Sequence, residues 1–164
     1  MKGKILKTLV LVGVLTLVVG AGQASAQTLT TQFQVSATVS KYCTIEATAL
    51  DFGTYNPLSA APRTAESTVT VRCTRGTAVS LALNEGIHEL AGVRNMLLTT
   101  GTDRLPYGLY LDSGYLTEWN SANVDEFTTT SNSDHDRTVY GRLPAGADVT
   151  EGSYTDTVTA TLNF

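Results

Sequence analysis

The stretch TLTTQFQVSATVSKYC, residues 28–43, alternates in a way that decides how the rest of the chain is interpreted. Its even-numbered positions from Thr28 to Ser40 are all Thr, Gln or Ser. Its odd-numbered positions are mostly apolar: Leu29, Thr31, Phe33, Val35, Ala37 and Val39. Because side chains alternate between the faces of a strand, this pattern predicts a β-strand with one apolar face. The 13 residues from 28 to 40 exceed the usual strand length of about 3–10 residues, so the partner of this strand is the first question.

The first 26 residues have the layout of a secretory signal peptide. Three lysines lie within the first seven residues, an apolar run follows, and Ala-Ser-Ala at 24–26 fits a small-residue cleavage site. A membrane anchor is the weaker alternative, because the apolar run from Leu9 to Val19 is shorter than the ~20 residues of a span. We expect cleavage after Ala26, secretion of residues 27–164, and no stable membrane insertion afterwards.

The charge of the cleaved chain argues against one class of partner. Without the three leader lysines, 8 Lys and Arg residues stand against 15 Asp and Glu residues, so the net charge falls from −4 to −7. Binding to nucleic acid requires clustered basic side chains, and here they are scattered singly. We therefore expect no nucleic-acid partner.

Cys43 and Cys73 are the only cysteines in the chain. In a secreted protein an even pair indicates a disulfide, which here would close a 31-residue loop and add roughly 3–4 kcal/mol of stability. A metal pair or a redox pair is a weaker alternative, because there is no C-x-x-C and no His at ligand spacing.

Five further segments alternate with period two: 66–73, 78–83, 105–111, 137–143 and 153–164. Turn-forming Gly, Pro, Asn and Asp residues separate them. The last segment places one set of side chains on a single face: Tyr154, Val158, Ala160, Leu162 and Phe164. Short strands at this spacing predict one antiparallel β-sandwich domain, with a barrel as the alternative.

Residue types that carry chemistry are few, and their spacing matches no catalytic motif. His88 lacks the second His of H-E-x-x-H, and His135 is predicted to lie in a solvated loop between two aspartates. There is no G-x-S-x-G, and Trp119 is interpreted as a packing residue. We expect no catalytic, cofactor-binding or metal site and no cofactor, and the chain is predicted to be structural and not an enzyme.

An ordered series of segments resembles a known family across nearly the whole secreted chain. The series comprises LDFGTYNP (50–57), STVTVRCTRGT (67–77), LPYGLYLD (105–112), a Trp near 119, TVYGRLPAG (138–146) and GSYTDTVTATLNF (152–164). It is similar to the spore coat protein U domain, a family that includes the archaic, Csu-type chaperone–usher pilus subunits of bacteria.

This resemblance implies an all-β fold, an incomplete immunoglobulin-like β-sandwich with an N-terminal donor strand. Residues 27–40 would be the donor extension and residues 41–164 the pilin domain, whose terminal strand from Tyr154 to Phe164 would border an open groove. The donor contacts would be Leu29, Phe33, Val35, Ala37 and Val39. Expected partners are a periplasmic chaperone, an outer-membrane usher and neighbouring identical or homologous subunits. The expected location is a cell-surface fibre or coat reached through the periplasm.

Two other functions remain open from the sequence. One is a structural protein of a spore coat or outer surface in the same family, and the other is a carbohydrate-binding module that uses Trp119 with Tyr107, Tyr110 and Tyr115. A secreted hydrolase is a third and weaker alternative. The long strand at 28–40 could also pair within its own domain, and its length and the family pattern favour pairing with another chain.

Overall fold

The computed structural model describes residues 25–164, in which there are ten β-strands and no helix. Within this range no helix has the length and apolarity that crossing a membrane requires. The predicted signal peptide, 1–26, lies outside the described residues except for its last two. The strands are β1 (Cys43–Ala47), β2 (Arg63–Cys73), β3 (Ala78–Leu83), β4 (Asn95–Leu98), β5 (Arg104–Pro106), β6 (Gly108–Tyr110), β7 (Asp125–Thr128), β8 (His135–Leu143), β9 (Tyr154–Thr155) and β10 (Ala160–Asn163).

Every ladder between these strands is antiparallel, and the strands form three sheets. The first sheet has the order β1-β2-β8-β6, the second β10-β3-β7, and the third β5-β4-β9. The longest pairing joins β2 to β8, from Arg63 opposite Leu143 to Val71 opposite His135. The prediction of an all-β, antiparallel sandwich is therefore confirmed.

The core lies where the inward faces of these sheets meet. The first sheet contributes Val69, Val71, Leu109, Val139 and Leu143, and the second contributes Val79, Leu81 and Leu83. All of these side chains are at most 5% exposed. They occupy alternate positions along their strands, as a sheet with one buried face requires.

Two predicted strands are divided in the structure because each changes partner along its length. The segment predicted as one strand at 105–111 forms β5 in the third sheet and β6 in the first, and Tyr107 between them donates its backbone N–H to Arg94 O at 3.0 Å. The C-terminal segment pairs with β4 through β9 and with β3 through β10. Strands β1, β4 and β7 lie in segments where the sequence predicted none.

The chain divides into two units, one ending at Ala37 and the other comprising Thr38–Phe164. All ten strands belong to the second unit. In the first unit, residues 25–37 carry no regular secondary structure. We call residues 27–40 the arm; the strand predicted at 28–40 has no pairing partner among the described residues.

Candidate functional site: a groove between two unpaired strand edges

A groove of about 500 Å³ opens into the core of the sandwich. One wall is formed by the end of β1 and the segment that follows it, residues 47–52. The opposite wall is formed by the C-terminal segment, residues 154–158 with Ala160. The floor consists of core side chains from three sheets: Val69, Leu83, Met96, Tyr107, Leu109 and Val139. This volume is within the range of about 300–1,000 Å³ in which proteins bury a ligand, so it can hold several side chains.

The C-terminal wall presents an unpaired backbone edge. Strand β10 pairs with β3 and stands at the end of its sheet. Thr159 O accepts a hydrogen bond from Asn84 N at 3.0 Å, and Thr157 O accepts one from Ile87 N at 3.2 Å. Because backbone groups alternate in direction along an antiparallel strand, the N–H and C=O groups of Val158, Ala160 and Leu162 point away from β3.

The wall formed by β1 has a second unpaired edge. Thr48 N donates to Thr68 O at 2.9 Å, and Thr74 N donates to Tyr42 O at 2.9 Å. The even-numbered residues of β1 therefore face β2, and the backbone groups of Cys43, Ile45 and Ala47 point away from it. In the described part of the chain no strand pairs with either edge. The groove reaches both edges, since Ala47 at the end of β1 and Ala160 at the start of β10 line it.

The floor and one wall depend on close packing around Gly141 of β8. A Cβ at this position would lie 2.8 Å from Leu50 Cδ1 and 2.9 Å from Phe52 Cζ. Phe52 packs edge-on against Tyr107, with ring centroids 6.3 Å apart. The absence of a side chain at Gly141 therefore lets Leu50 and Phe52 pack against β8 beside the groove.

A buried carboxylate lies in the C-terminal wall. The side chain of Asp156 is 3% exposed. It accepts hydrogen bonds from the backbone N–H groups of Ile87 and His88 at 3.1 and 3.2 Å, and from the Tyr107 hydroxyl at 2.7 Å. Burial, together with the hydrogen bond to Asp156, raises the pKa of the Tyr107 hydroxyl far above its usual value, so this hydroxyl is a donor at all physiological pH values.

The residues predicted to border the groove mostly face the core. Tyr154, Val158, Ala160 and Leu162 are half-buried and pack against the core cluster, while the threonines between them are exposed. Phe164 differs: it is 56% exposed and follows the end of β10. Pairing with β3 ends at Asn163, so the core does not extend to Phe164.

The predicted donor residues lie in the arm, and their large apolar side chains are exposed. Leu29 is 96% exposed, Phe33 85%, Val35 82% and Val39 81%. Ala37 is exposed as well. An alternating row of apolar side chains in water is unfavourable in a monomer.

The arm joins the domain at a fixed point beside the disulfide bond. Cys43 and Cys73 are bonded, and they are also opposite each other in the β1–β2 ladder. The Thr74 hydroxyl accepts from Tyr42 N at 3.1 Å and donates to Ser40 O at 3.2 Å. These contacts hold the C-terminal end of the arm to the start of the sandwich.

The side chains singled out for other chemistry are engaged in packing. Trp119 is 1% exposed and donates its indole N–H to Leu81 O at 2.9 Å, so it cannot stack on a sugar. His135 begins β8, where the sequence predicted a loop. His88 Nδ1 lies 3.1 Å from Asp156 Oδ1. Among residues 25–164, no group of three His, Cys, Asp or Glu side chains could hold a metal ion.

Two buried polar residues of this region were missed by the sequence interpretation. Arg94 is fully buried and donates to the carbonyl oxygens of Asn84 and Trp119 and to Glu118. Asp156 occupies a core-facing position of the last alternating segment. The available signal was that a charged residue interrupted a row of apolar side chains, which indicates a paired charge.

Comparison with known proteins identifies relatives of this chain. Residues 29–161 match the model of the Spore Coat Protein U domain. The chain is 31% identical over 157 residues to Protein U of Myxococcus xanthus, a match that covers 86% of this chain and 88% of that protein.

A solved structure shares the fold. The chain is similar, at a TM-score of 0.61 and 25% identity, to a chain in the crystal structure of the CsuC–CsuE chaperone–tip adhesion subunit pre-assembly complex, from the archaic chaperone–usher Csu pili of Acinetobacter baumannii. The match covers 77% of this chain and 40% of that chain.

Proposed function

This chain belongs to the Spore Coat Protein U domain family, and we propose that it is a subunit of a surface fibre assembled by donor-strand exchange. The family match and the pilus-subunit neighbour support a structural role in a pilus or coat. In the proposed assembly the arm of one subunit, residues 27–40, inserts into the groove of the next subunit, formed by residues 41–164.

The observation that carries the proposal is the groove with its two unpaired edges. A strand placed between β1 and β10 would satisfy the outward N–H and C=O groups of both edges and cover the apolar floor. This is β-augmentation, in which backbone bonds supply affinity and pockets for alternate side chains supply specificity. Ladder hydrogen bonds contribute roughly 0.5–1.5 kcal/mol each.

The arm has the chemistry of such a strand. Burying Phe33, Val35 and Val39 would contribute about 1.5–3 kcal/mol each, so the apolar driving force is about 5–10 kcal/mol before entropy costs. Its other face, with Gln32, Gln34 and the serines and threonines, would remain in water. The apolar face of the arm therefore matches the apolar floor of the groove, and its polar face matches the solvent side.

The charges of the edge strands favour augmentation at the groove over the opposite edge of the second sheet. Strand β7 forms that opposite edge and carries Asp125 and Glu126, of which Asp125 lies 3.0 Å from Arg137 Nε. Charged side chains protect an edge from strand addition. Strand β10, by contrast, has the sequence ATLN, without an ionisable side chain.

The assembly proposed here is head-to-tail. The donor is one end of the subunit and the acceptor is a groove elsewhere, so each contact leaves a free arm and a free groove for the next subunit. Such heterologous contacts generate an open fibre and not a closed dimer.

The route to the surface follows from the same proposal. A free subunit with an exposed apolar groove would be prone to aggregate, so we expect a periplasmic chaperone to cover the groove until assembly. The solved relative is part of a chaperone–subunit complex, which supports this part of the proposal. We propose secretion by cleavage after Ala26, followed by chaperone binding and release at an outer-membrane usher.

The polymer tests the proposal directly. Material extracted from cells that produce the full chain is run on a denaturing gel without heating. We expect a ladder of bands that collapses to monomer on boiling, because a strand inserted in a sandwich dissociates slowly. The double variant Phe33→Asp and Val35→Asp should abolish the ladder, since two carboxylates would have to enter the core.

The control keeps the added charge and moves it to the other face of the arm. Gln32→Asp and Gln34→Asp introduce the same two charges on the side expected to face water, and the ladder should persist. A monomer band alone in the unaltered chain, or equal loss of the ladder in both double variants, would contradict donor-strand exchange.

A coat instead of a fibre is the second candidate, supported by the family match and by Protein U. Both would use the same strand exchange, and they differ in what the assembled material looks like. Electron microscopy of the extracted polymer separates them, because thin filaments indicate a pilus and a continuous layer indicates a coat.

A further inference from the structure

The wall of the groove contains a charged residue at a position where its neighbours are apolar. Along the C-terminal segment the core-facing residues are Tyr154, Asp156, Val158, Ala160 and Leu162. Donor-strand exchange requires only that this face be apolar, so it does not explain Asp156. A buried carboxylate costs free energy unless it is fully hydrogen-bonded, so Asp156 needs donors within the fold.

The partners of Asp156 come from two separate parts of the domain. Oδ1 accepts from the backbone N–H groups of Ile87 and His88, in the loop 84–88 that follows β3. Oδ2 accepts from the hydroxyl of Tyr107, whose ring lies in the floor of the groove. His88 Nδ1 lies 3.1 Å from Oδ1. We call this set of contacts the clasp.

The loop that receives Asp156 is shaped to admit it. Gly86 has a φ of +81°, and a Cβ at this position would lie 1.9 Å from Asp156 Oδ2. Asn84 adds a further contact to the same wall, since its Oδ1 accepts from Thr159 N at 2.8 Å. The loop and the wall therefore fit each other through side-chain contacts where the regular ladder is interrupted.

In the middle of the wall the backbone is held to the loop through two carbonyl groups, those of Thr157 and Thr159, which is fewer hydrogen bonds than a regular ladder would supply. Residues 156–159 lie between β9 and β10 and belong to neither strand. Val158 faces an apolar groove, so the hydrophobic effect favours its collapse into that space. If the wall collapsed, it would close the groove. The outward N–H and C=O groups of Val158 and Ala160 would then no longer be aligned to pair with an incoming strand.

We propose that Asp156 is a positioning residue of the groove, which through the clasp holds wall segment 155–159 in the strand-accepting conformation before the donor arrives. The inference rests on the proposed function and goes beyond it by assigning a role to a residue whose carboxylate is bonded within its own domain. Its role is to keep the groove open, so its loss should slow capture of the strand more than it destabilises the fold.

Three variants separate the contributions of the clasp. Asp156→Val removes every acceptor and leaves a β-branched side chain that suits a strand. Asp156→Asn keeps an oxygen for the N–H groups of Ile87 and His88 and an N–H that can donate to Tyr107 Oη. Tyr107→Phe removes only one hydroxyl and keeps the ring in the floor.

The experiment measures strand capture by an acceptor whose own arm cannot compete. The full chain carrying Phe33→Asp and Val35→Asp serves as the acceptor, and a fluorescent peptide of residues 28–40 serves as the donor. Association rates are measured by anisotropy, and thermal midpoints are measured without peptide. Leu143→Val is the control for general destabilisation, because Leu143 is 1% exposed and does not line the groove.

We expect Asp156→Val to slow capture by about tenfold or more, the scale of one lost hydrogen bond to a charged group. Asp156→Asn should restore most of the rate, Tyr107→Phe should lie between the two, and Leu143→Val should change the thermal midpoint without changing the rate. If Asp156→Val does not fold, the test rests on Tyr107→Phe. An association rate for Tyr107→Phe equal to that of the acceptor with Tyr107 would overturn the inference.

The outcomes also distinguish the two proposals. No capture by the acceptor with an intact clasp contradicts donor-strand exchange itself. If that acceptor captures the peptide normally, and Asp156→Val slows capture no more than Leu143→Val does for a similar loss in thermal midpoint, only the role of Asp156 is contradicted.

Discussion

Gly141 shows how a single position can set the shape of the groove. It lies near the end of β8 with a backbone conformation open to any residue, so the requirement is space and not a positive φ. Leu50 and Phe52 occupy that space, and both line the groove. A residue with no side chain here allows the wall at 47–52 to approach the first sheet.

Replacing Gly141 by Ala should push Leu50 and Phe52 toward the groove. We expect a stability loss of about 1–3 kcal/mol, typical of overpacking, together with slower capture of the arm peptide. Thermal unfolding and the anisotropy assay measure the two effects.

The matched control is Gly76→Ala. Gly76 has a φ of +81° and nothing within 4 Å of a Cβ, so Ala should cost stability through backbone strain alone. Unchanged capture is expected there. Equal effects of the two substitutions on capture would show that crowding at Gly141 is not the cause.

Among the elements, the arm and the C-terminal segment have similar alternating sequences and different structures. Both place mostly apolar side chains at every second position, yet the C-terminal segment pairs with β3 and β4 while the arm has no partner among the described residues. The difference lies in what is available beside each segment. Period-two alternation predicts that a segment can form a strand, and it does not say with which neighbour.

The end of the arm is the one part of it whose attachment can be tested within a single subunit. Thr74 Oγ1 bonds to both Tyr42 N and Ser40 O, so Thr74→Val removes these contacts and preserves the branched shape. We expect the Tyr42 amide to exchange with solvent about fivefold faster, as the loss of one hydrogen bond of ~1 kcal/mol predicts. The amides of β2 and β8 should be unchanged.

Hydrogen exchange at residue resolution provides the measurement. A useful comparison is Thr48→Val, which removes the equivalent side-chain contact with Thr68 at the other end of β1. If Thr74→Val left the exchange of Tyr42 unchanged, or accelerated exchange throughout the sandwich, Thr74 would not be a local anchor of the arm.

For the whole molecule, separate donor and acceptor sites make polymer length a measurable consequence. A subunit with Phe33→Asp and Val35→Asp keeps its groove and cannot donate, so it should terminate a fibre at one end. Co-assembly with one such subunit in ten should shorten fibres to about ten subunits on average, because each incorporation ends growth.

Fibre length is measured by electron microscopy as the fraction of the variant increases. The subunit with Gln32→Asp and Gln34→Asp is the control, and it should leave the length unchanged. Lengths that do not depend on the fraction of the first variant would contradict head-to-tail assembly.

Much of the candidate site could be located from the sequence because its signals are local. The alternation at 28–40 and 153–164, and the pair of cysteines in a secreted chain, are properties of short segments or of composition. The disulfide is present in the structure, and the strands at 66–73, 78–83 and 137–143 all lie within or coincide with observed strands. The family match and the solved relative confirm that the chain is structural and not an enzyme.

Which faces of the strands are apolar and which two cysteines can pair were predictable from the sequence, because both depend on local composition and spacing. Three features could be seen in the fold alone: 105–111 divides between two sheets, β1 and β10 have unpaired edges, and Asp156 enters a buried clasp. Those outcomes depend on which segments become neighbours across the core. A buried carboxylate in the wall of an apolar groove is stable only if it is hydrogen-bonded. Its donors, Tyr107 and the loop 84–88, are distant in sequence and are brought to Asp156 by the fold.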